Sequence, residues 1–79
     1  MTDKELSMLT EAGEALFGSR WQTDTARILG YADPARLRRI LSGERPFPPD
    51  GWQLLAEELR HRSHITEVLA VKLDKIGAP

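Results

Sequence analysis

Residues 22–43, QTDTARILGYADPARLRRILSG, decide the fold that this sequence predicts. Gly30 follows a short run of helical periodicity and can take the left-handed conformation that ends a helix. Asp33 is a good N-cap, and Pro34 fits the first helical position because the N–H that proline lacks is unpaired there in any helix. The stretch therefore predicts two short helices joined by a tight turn, over residues 22–29 and 34–41.

The rest of the chain predicts three further helices in a single domain of residues 1–79. Thr2 and Glu5 form a T-x-x-E capping box ahead of an amphipathic run. The connector GERPFPPDG is rich in proline and excludes a helix after the central pair. Beyond it the apolar stripe rotates by roughly 80° at about 100° per residue, which predicts a break near residue 63. The predicted fold class is all-α, a compact bundle of about five short helices, the outer three over residues 3–17, 51–62 and 64–75.

Charge is spread unevenly along a chain whose formal net charge is -1. Residues 1–19 carry one lysine against four carboxylates, whereas residues 20–45 carry six arginines against three carboxylates. A basic middle in an acidic chain is typical of a compact nucleic-acid-binding protein with one contact face, although a salt-bridged surface also shows it. The chain has no cysteine for a disulfide or a thiolate zinc site, and no apolar run approaches the roughly 20 residues that span a bilayer. We therefore expect a soluble, cytoplasmic protein that does not bind membranes.

The second helix of the central pair carries the candidate DNA-reading surface. Its apolar residues fall on one side of a helical projection, and three arginines surround the other side. A guanidinium group reads guanine O6 and N7 through a bidentate fork or grips phosphate, and a small side chain near the helix start could touch a thymine methyl. Ala26 at the helix crossing and Gly30 at the bend favour a DNA-binding helix-turn-helix over a merely solvated surface. The candidate base-contacting residues are Ala35, Arg36, Arg38 and Arg39.

The runs RWQTDTARILG and LRRILSGERPFP resemble the helix-turn-helix of small phage and prophage regulators of the lambda Cro and repressor type, including compact anti-CRISPR-associated repressors. The resemblance covers roughly a third of the chain. It implies that Gln22 and Thr23 contact phosphate and that the second helix reads bases. One departure is that Gly30 and Leu37 are separated by one residue more than is usual. The further candidates for phosphate contact, with an ordinary surface role as the alternative, are Arg20 and Arg45.

Two other patterns favour structural roles over metal binding or stacking on nucleic-acid bases. Glu57, His61 and His64 share one helical face at a spacing that zinc ligands can adopt, but a break near residue 63 would separate them, so we expect no metal and no cofactor. Trp21 and Trp52 could stack on single-stranded nucleic acid, but the apolar periodic segments beside them favour core packing. No nucleophile with a base and an orienting partner stands out, so we expect no enzymatic activity.

The C-terminal segment 64–76, which contains the last predicted helix, carries an apolar stripe that either completes the core or forms a homodimer interface. We favour the dimer, because helix-turn-helix proteins commonly bind two half-sites about 34 Å apart. The stripe consists of Ile65, Val68, Leu69, Leu73 and Ile76.

Together these patterns predict a sequence-specific regulator of transcription that binds double-stranded DNA as a homodimer on an inverted-repeat operator. We expect a repressor rather than an activator, since repression requires only that a promoter be occupied. The alternative is a protein-interaction module, such as an antitoxin-like or adaptor subunit, that holds its partner with the C-terminal apolar helix. No small-molecule effector is evident from the sequence.

Overall fold

A computed structural model describes residues 1–77, and all regular secondary structure in them is helical. The all-α fold class is therefore confirmed for this part of the chain. The final two residues of the predicted domain 1–79 lie outside the described residues. Four α-helices and one 3-10 helix follow in order: α1 over Asp3–Phe17, the 3-10 helix over Gly18–Arg20, α2 over Trp21–Ile28, α3 over Pro34–Leu41 and α4 over Gly51–Gly77.

The predicted capping box fixes the start of α1. The Glu5 N–H donates to Thr2 Oγ1, and the Thr2 N–H donates to the Glu5 carboxylate, each at 3.1 Å. These bonds satisfy donors that a helix start otherwise leaves unpaired. The pKa of Glu5 lies below its ordinary value, because hydrogen bonding to Thr2 stabilises the ionised carboxylate. The backbone N–H of Thr2 has the larger effect and its side chain the smaller.

Gly30 ends α2 in the left-handed conformation that the sequence predicts, with a φ of 87°. Its N–H donates to the Arg27 carbonyl at 2.9 Å, and the Tyr31 N–H donates to the Ala26 carbonyl at 2.8 Å. This pair of bonds closes a helix at a left-handed glycine and satisfies its last carbonyls. α2 begins and ends one residue earlier than predicted.

Asp33 starts α3 as the predicted N-cap. Its Oδ1 accepts a hydrogen bond from the Ala35 N–H at 2.8 Å, and Pro34 occupies the first helical position. The predicted bounds of α3 are confirmed, and a connection of residues 29–33 separates it from α2.

The core lies where α1, α2, α3 and the first turns of α4 meet. Gly13 of α1 is buried, and a Cβ at this position would overlap the Trp21 indole, so the missing side chain allows that ring to close over α1. The predicted core role of Trp21 is confirmed, because it is 6% exposed. The buried apolar cluster comprises Leu9, Trp21, Ala26, Leu29, Leu37 and Leu55.

The predicted break near residue 63 is wrong, because residues 51–62 and 64–75 belong to one continuous helix, α4. The bundle therefore has fewer α-helices than the five predicted. No proline or glycine interrupts the helix there, and Arg62 pairs with Glu58 across one turn at 3.4 Å. The apolar stripe rotates because the two halves of α4 have different surroundings. The first half packs on the core, and every residue of the second half is exposed.

The second half of α4, residues 60–77 and hereafter the α4 tail, extends away from the core. The described residues measure 56 × 24 × 21 Å along their principal axes. The predicted apolar stripe is not part of the intramolecular core, since its exposure runs from 39% at Val68 to 81% at Ile76. Within residues 1–77, no helix combines the length and the apolar content that crossing a lipid bilayer requires.

Candidate nucleic-acid interface

α3 carries three exposed arginines around the side that faces away from the core. Leu37 and Ile40 are 0% and 2% exposed, so they fix the inward side of this eight-residue helix. Arg36, Arg38 and Arg39 are all exposed. We refer to these three residues as the α3 arginine face. Its position follows from the same helical periodicity that places the leucine and isoleucine inside.

An open groove runs between the start of α2 and the middle of α3. Its lining includes three of the four residues predicted to contact phosphate, and Arg38 joins them from α3. The start of α2 has no side-chain cap, and the N-terminal end of a helix favours anions. The groove thus combines guanidinium, hydroxyl and amide groups in a set that suits a phosphate group. It has a volume of 320 Å³ and is lined by Ser19, Arg20, Gln22, Thr23 and Arg38.

Arg36 is held beside the connection between α2 and α3. Its Cζ lies 5.1 Å from the centroid of the Tyr31 ring, a distance at which a guanidinium group and an aromatic face attract each other. Helical periodicity does not predict this contact, because the two residues lie on either side of a turn. An aromatic residue shortly before an arginine-rich helix was the signal that could have indicated it.

The remaining two predicted residues lie at opposite ends of α3. Ala35 is half-buried in the first turn, where its N–H donates to the side chain of the N-cap residue Asp33. Arg45 is exposed beyond the last turn, and its N–H donates to the Arg39 carbonyl at 3.3 Å. Gly43, with a φ of 89°, turns the chain back against this end of the helix. The candidate surface therefore extends along the whole length of α3.

No carboxylate of the described part of the chain neutralises the arginines of this surface. Within residues 1–77 the ion pairs join Arg27 to Asp24 at 3.2 Å and Arg62 to Glu58 at 3.4 Å. None of the five candidate arginines has a carboxylate oxygen within 4.0 Å in this part of the chain. Unpaired guanidinium groups on one side of a small domain create a positive potential that attracts polyanions. The five are Arg20, Arg36, Arg38, Arg39 and Arg45.

The described residues contain no group of three or more His, Asp or Glu side chains placed to hold a metal ion. Glu57, His61 and His64 lie on the continuous helix α4, all of them exposed. Gln53 Nε2 donates a hydrogen bond to Glu57 Oε1 at 3.2 Å, which gives this carboxylate a structural partner.

The chain matches no known protein-family model, no curated protein and no solved structure. The resemblance to phage and prophage regulators therefore stays a prediction.

Proposed function

We propose that the protein is a sequence-specific, double-stranded-DNA-binding regulator of transcription that acts as a repressor. The observation that carries this proposal is the set of five arginines along and beside α3 that have no carboxylate partner among residues 1–77. Three of them project from one short exposed helix, which is narrow enough for a major groove. Because the chain as a whole has a net charge of -1, this concentration of positive charge is local to the candidate surface.

In this proposal α2 and α3 act as a helix-turn-helix. α3 would lie in the major groove, with Arg36 and Arg39 at base edges and Ala35 close to the DNA at the helix start. Gln22, Thr23 and Arg20 would contact a phosphate at the start of α2, and Arg45 would contact another beyond α3. Arg38 lines the same groove as the α2 residues, so we assign it to the phosphate rather than to a base edge.

The connection between the two helices is longer than the three or four residues of the usual motif. Residues 29–33 separate α2 from α3, and Tyr31 within them contacts Arg36. We propose that this contact fixes the direction of the Arg36 guanidinium and so compensates for the longer turn.

Homodimerisation completes the proposed function. The α4 tail exposes the five apolar residues of the predicted interface. Apolar side chains that are exposed to water favour association with another apolar surface. A dimer with two-fold symmetry would present two α3 helices to an inverted-repeat operator.

The test is binding to a duplex selected from a random DNA pool, measured over a range of salt concentrations. Each phosphate contact should contribute a slope of about -0.9 in log K against log salt, so several contacts give a steep dependence. Arg39→Ala should lower the specific affinity by about 1 to 3 kcal/mol and relax the sequence preference at one position.

Arg27→Ala is the matched control, since Arg27 is an exposed arginine of α2 that already pairs with Asp24. It should leave both the affinity and the sequence preference close to those of the unsubstituted protein. A flat salt dependence, or an Arg39→Ala variant that keeps its affinity and preference, would contradict the proposal.

A second candidate function rests on the same exposed tail. A protein-interaction module would use the apolar stripe to hold a different protein, as an antitoxin-like or adaptor subunit does. The 66% exposed Leu73 and the 81% exposed Ile76 favour some partner for this helix. DNA binding with a steep salt dependence separates the two, because a module of this kind has no need for the unpaired arginines.

A further inference from the structure

The α4 tail needs an apolar partner that also tolerates positive charge. It carries six exposed large apolar side chains. Its charged residues are four basic and two acidic, so the tail is basic overall. The six apolar residues are Ile65, Val68, Leu69, Val71, Leu73 and Ile76.

Pairing of two tails with each other does not use the basic charge of the tail. One line of contact along the helix, at alternating steps of three and four residues, passes through Ile65, Leu69, Lys72 and Ile76. A parallel pair along this line would set Lys72 against its own copy, and each tail brings more basic than acidic side chains to such a pair.

The outer side of α1 has the complementary character. Asp3, Glu11 and Glu14 are exposed on the outer side of α1, and none has a basic group within 4.0 Å in residues 1–77. We refer to these three residues as the α1 acidic face. They line a shallow groove with Leu6, Ser7 and Thr10.

An apolar patch lies on the same helix. Met8 is 52% exposed and lines a mainly apolar depression together with Lys4, Glu5 and Trp52. α1 therefore offers both the apolar contact and the negative charge that the α4 tail lacks within its own copy.

We infer that two copies exchange their tails, so that the α4 tail of each copy lies against α1 of the other. This inference rests on the homodimer of the proposed function and specifies what the apolar stripe contacts. The arrangement is symmetric, because each copy gives one basic apolar tail and receives one on its α1 acidic face. The charge complementarity of the two surfaces selects a second copy as the occupant.

Charge reversal on the two sides tests the exchange by sedimentation in the absence of DNA. One variant carries Glu11→Lys and Glu14→Lys, and the other carries Lys72→Glu and Lys75→Glu. Each variant alone should dimerise roughly tenfold or more weakly than the unsubstituted protein, because both of its contacts then join like charges. An equimolar mixture should recover the dimer, since both contacts of the mixed dimer again join opposite charges.

Glu44→Lys is the control for the α1 variant, because it reverses an exposed carboxylate beyond α3. Circular dichroism of each variant establishes that it is folded. An α1 variant that dimerises as well as the unsubstituted protein would overturn the exchange and leave the proposed dimer intact. A mixture that stays monomeric would also overturn the exchange. An unsubstituted protein that is monomeric at every concentration would overturn both the exchange and the dimer, with the DNA-binding proposal still decided by the salt series.

Discussion

At the scale of single residues, Gly13 shows how a missing side chain places the largest ring of the core. α1 and α2 pack closely at this point, with the Trp21 indole against the backbone of Gly13. Glycine inside a helix costs about 1 kcal/mol relative to alanine. The close approach of the indole outweighs that cost, because it brings Trp21 into the buried cluster with Leu9.

We predict that Gly13→Ala destabilises the protein although alanine is the better helix former. The new Cβ would lie 2.6 Å from Trp21 Cδ2, so the buried ring must move. Overpacking of this kind costs about 1 to 3 kcal/mol, which exceeds the helical gain. Denaturant unfolding measures the difference. Gly77→Ala, at a helical position with no atom of the other described residues within 4 Å, is the control and should be neutral or slightly stabilising. Equal effects of the two substitutions would contradict this account.

The arginines divide at the same scale according to their neighbours. Arg27 and Arg62 have carboxylate partners on their own helices, so their charge is used locally. Arg36 contacts the Tyr31 ring, and Arg39 has no such partner among residues 1–77. Arg39 and Arg27 are the same residue type, but only Arg27 has a carboxylate partner among residues 1–77. A comparison of their alanine variants in DNA binding therefore isolates the effect of an arginine without such a partner.

At the scale of helices, α4 joins a segment that packs on the core to a segment that is exposed. Its first turns are held by the core, in which Leu55 is 2% exposed. The α4 tail has no buried residue, and an isolated helix of about this length is marginally stable in water. Arg62, which pairs with Glu58 and lies 5.4 Å from the Phe17 ring centroid, marks the end of the supported segment.

We predict that the α4 tail becomes fully helical only when the dimer forms. The helical signal in far-UV circular dichroism should then rise with protein concentration over the range in which sedimentation shows association. Leu69→Glu should give a monomer whose helical signal stays at the lower value, because a buried unpaired carboxylate is costly at an apolar interface.

Ala70→Glu introduces the same charge on the other side of the tail and is the matched control. It should retain both the dimer and the concentration dependence. A Leu69→Glu variant with the full helical signal at every concentration would contradict the coupling of folding and association.

At the scale of the whole molecule, the long axis of 56 Å would set the spacing of the proposed dimer with exchanged tails. Antiparallel overlap of two such molecules separates their compact parts by about one tail length, roughly 27 Å at 1.5 Å per residue. This distance is of the same order as the half-site spacing of about 34 Å that one turn of DNA requires. The tail would therefore act as a spacer between two α3 helices.

We predict that hydroxyl-radical footprinting on the selected duplex shows two protected regions on one side of the DNA, about one helical turn apart. The Leu69→Glu variant should bind more weakly and protect each half-site independently, because the two α3 helices are then no longer connected. Ala70→Glu should keep the paired protection. A single undivided footprint from the unsubstituted protein would contradict the symmetric dimer.

The sequence alone determined the local structure, because local signals act over a few residues. The Thr2 and Glu5 capping box, Gly30 and the Asp33–Pro34 start predicted where α1 begins, where α2 ends and where α3 begins, each through hydrogen bonds between near neighbours. Periodicity also predicted the buried and exposed sides of α3, since the period of a helix fixes which residues share a side.

Only the tertiary structure decided which part of α4 packs on the core and which part stays exposed. The rotation of its apolar stripe predicted a break. A stripe rotates in the same way when one helix ends and another begins and when one continuous helix leaves the core. α4 continues because nothing near Arg62 interrupts its backbone hydrogen bonds, and its stripe turns because the core ends there. Long-range packing likewise placed Arg38 in the groove with Gln22 and Thr23, since no local signal measures the distance between two helices.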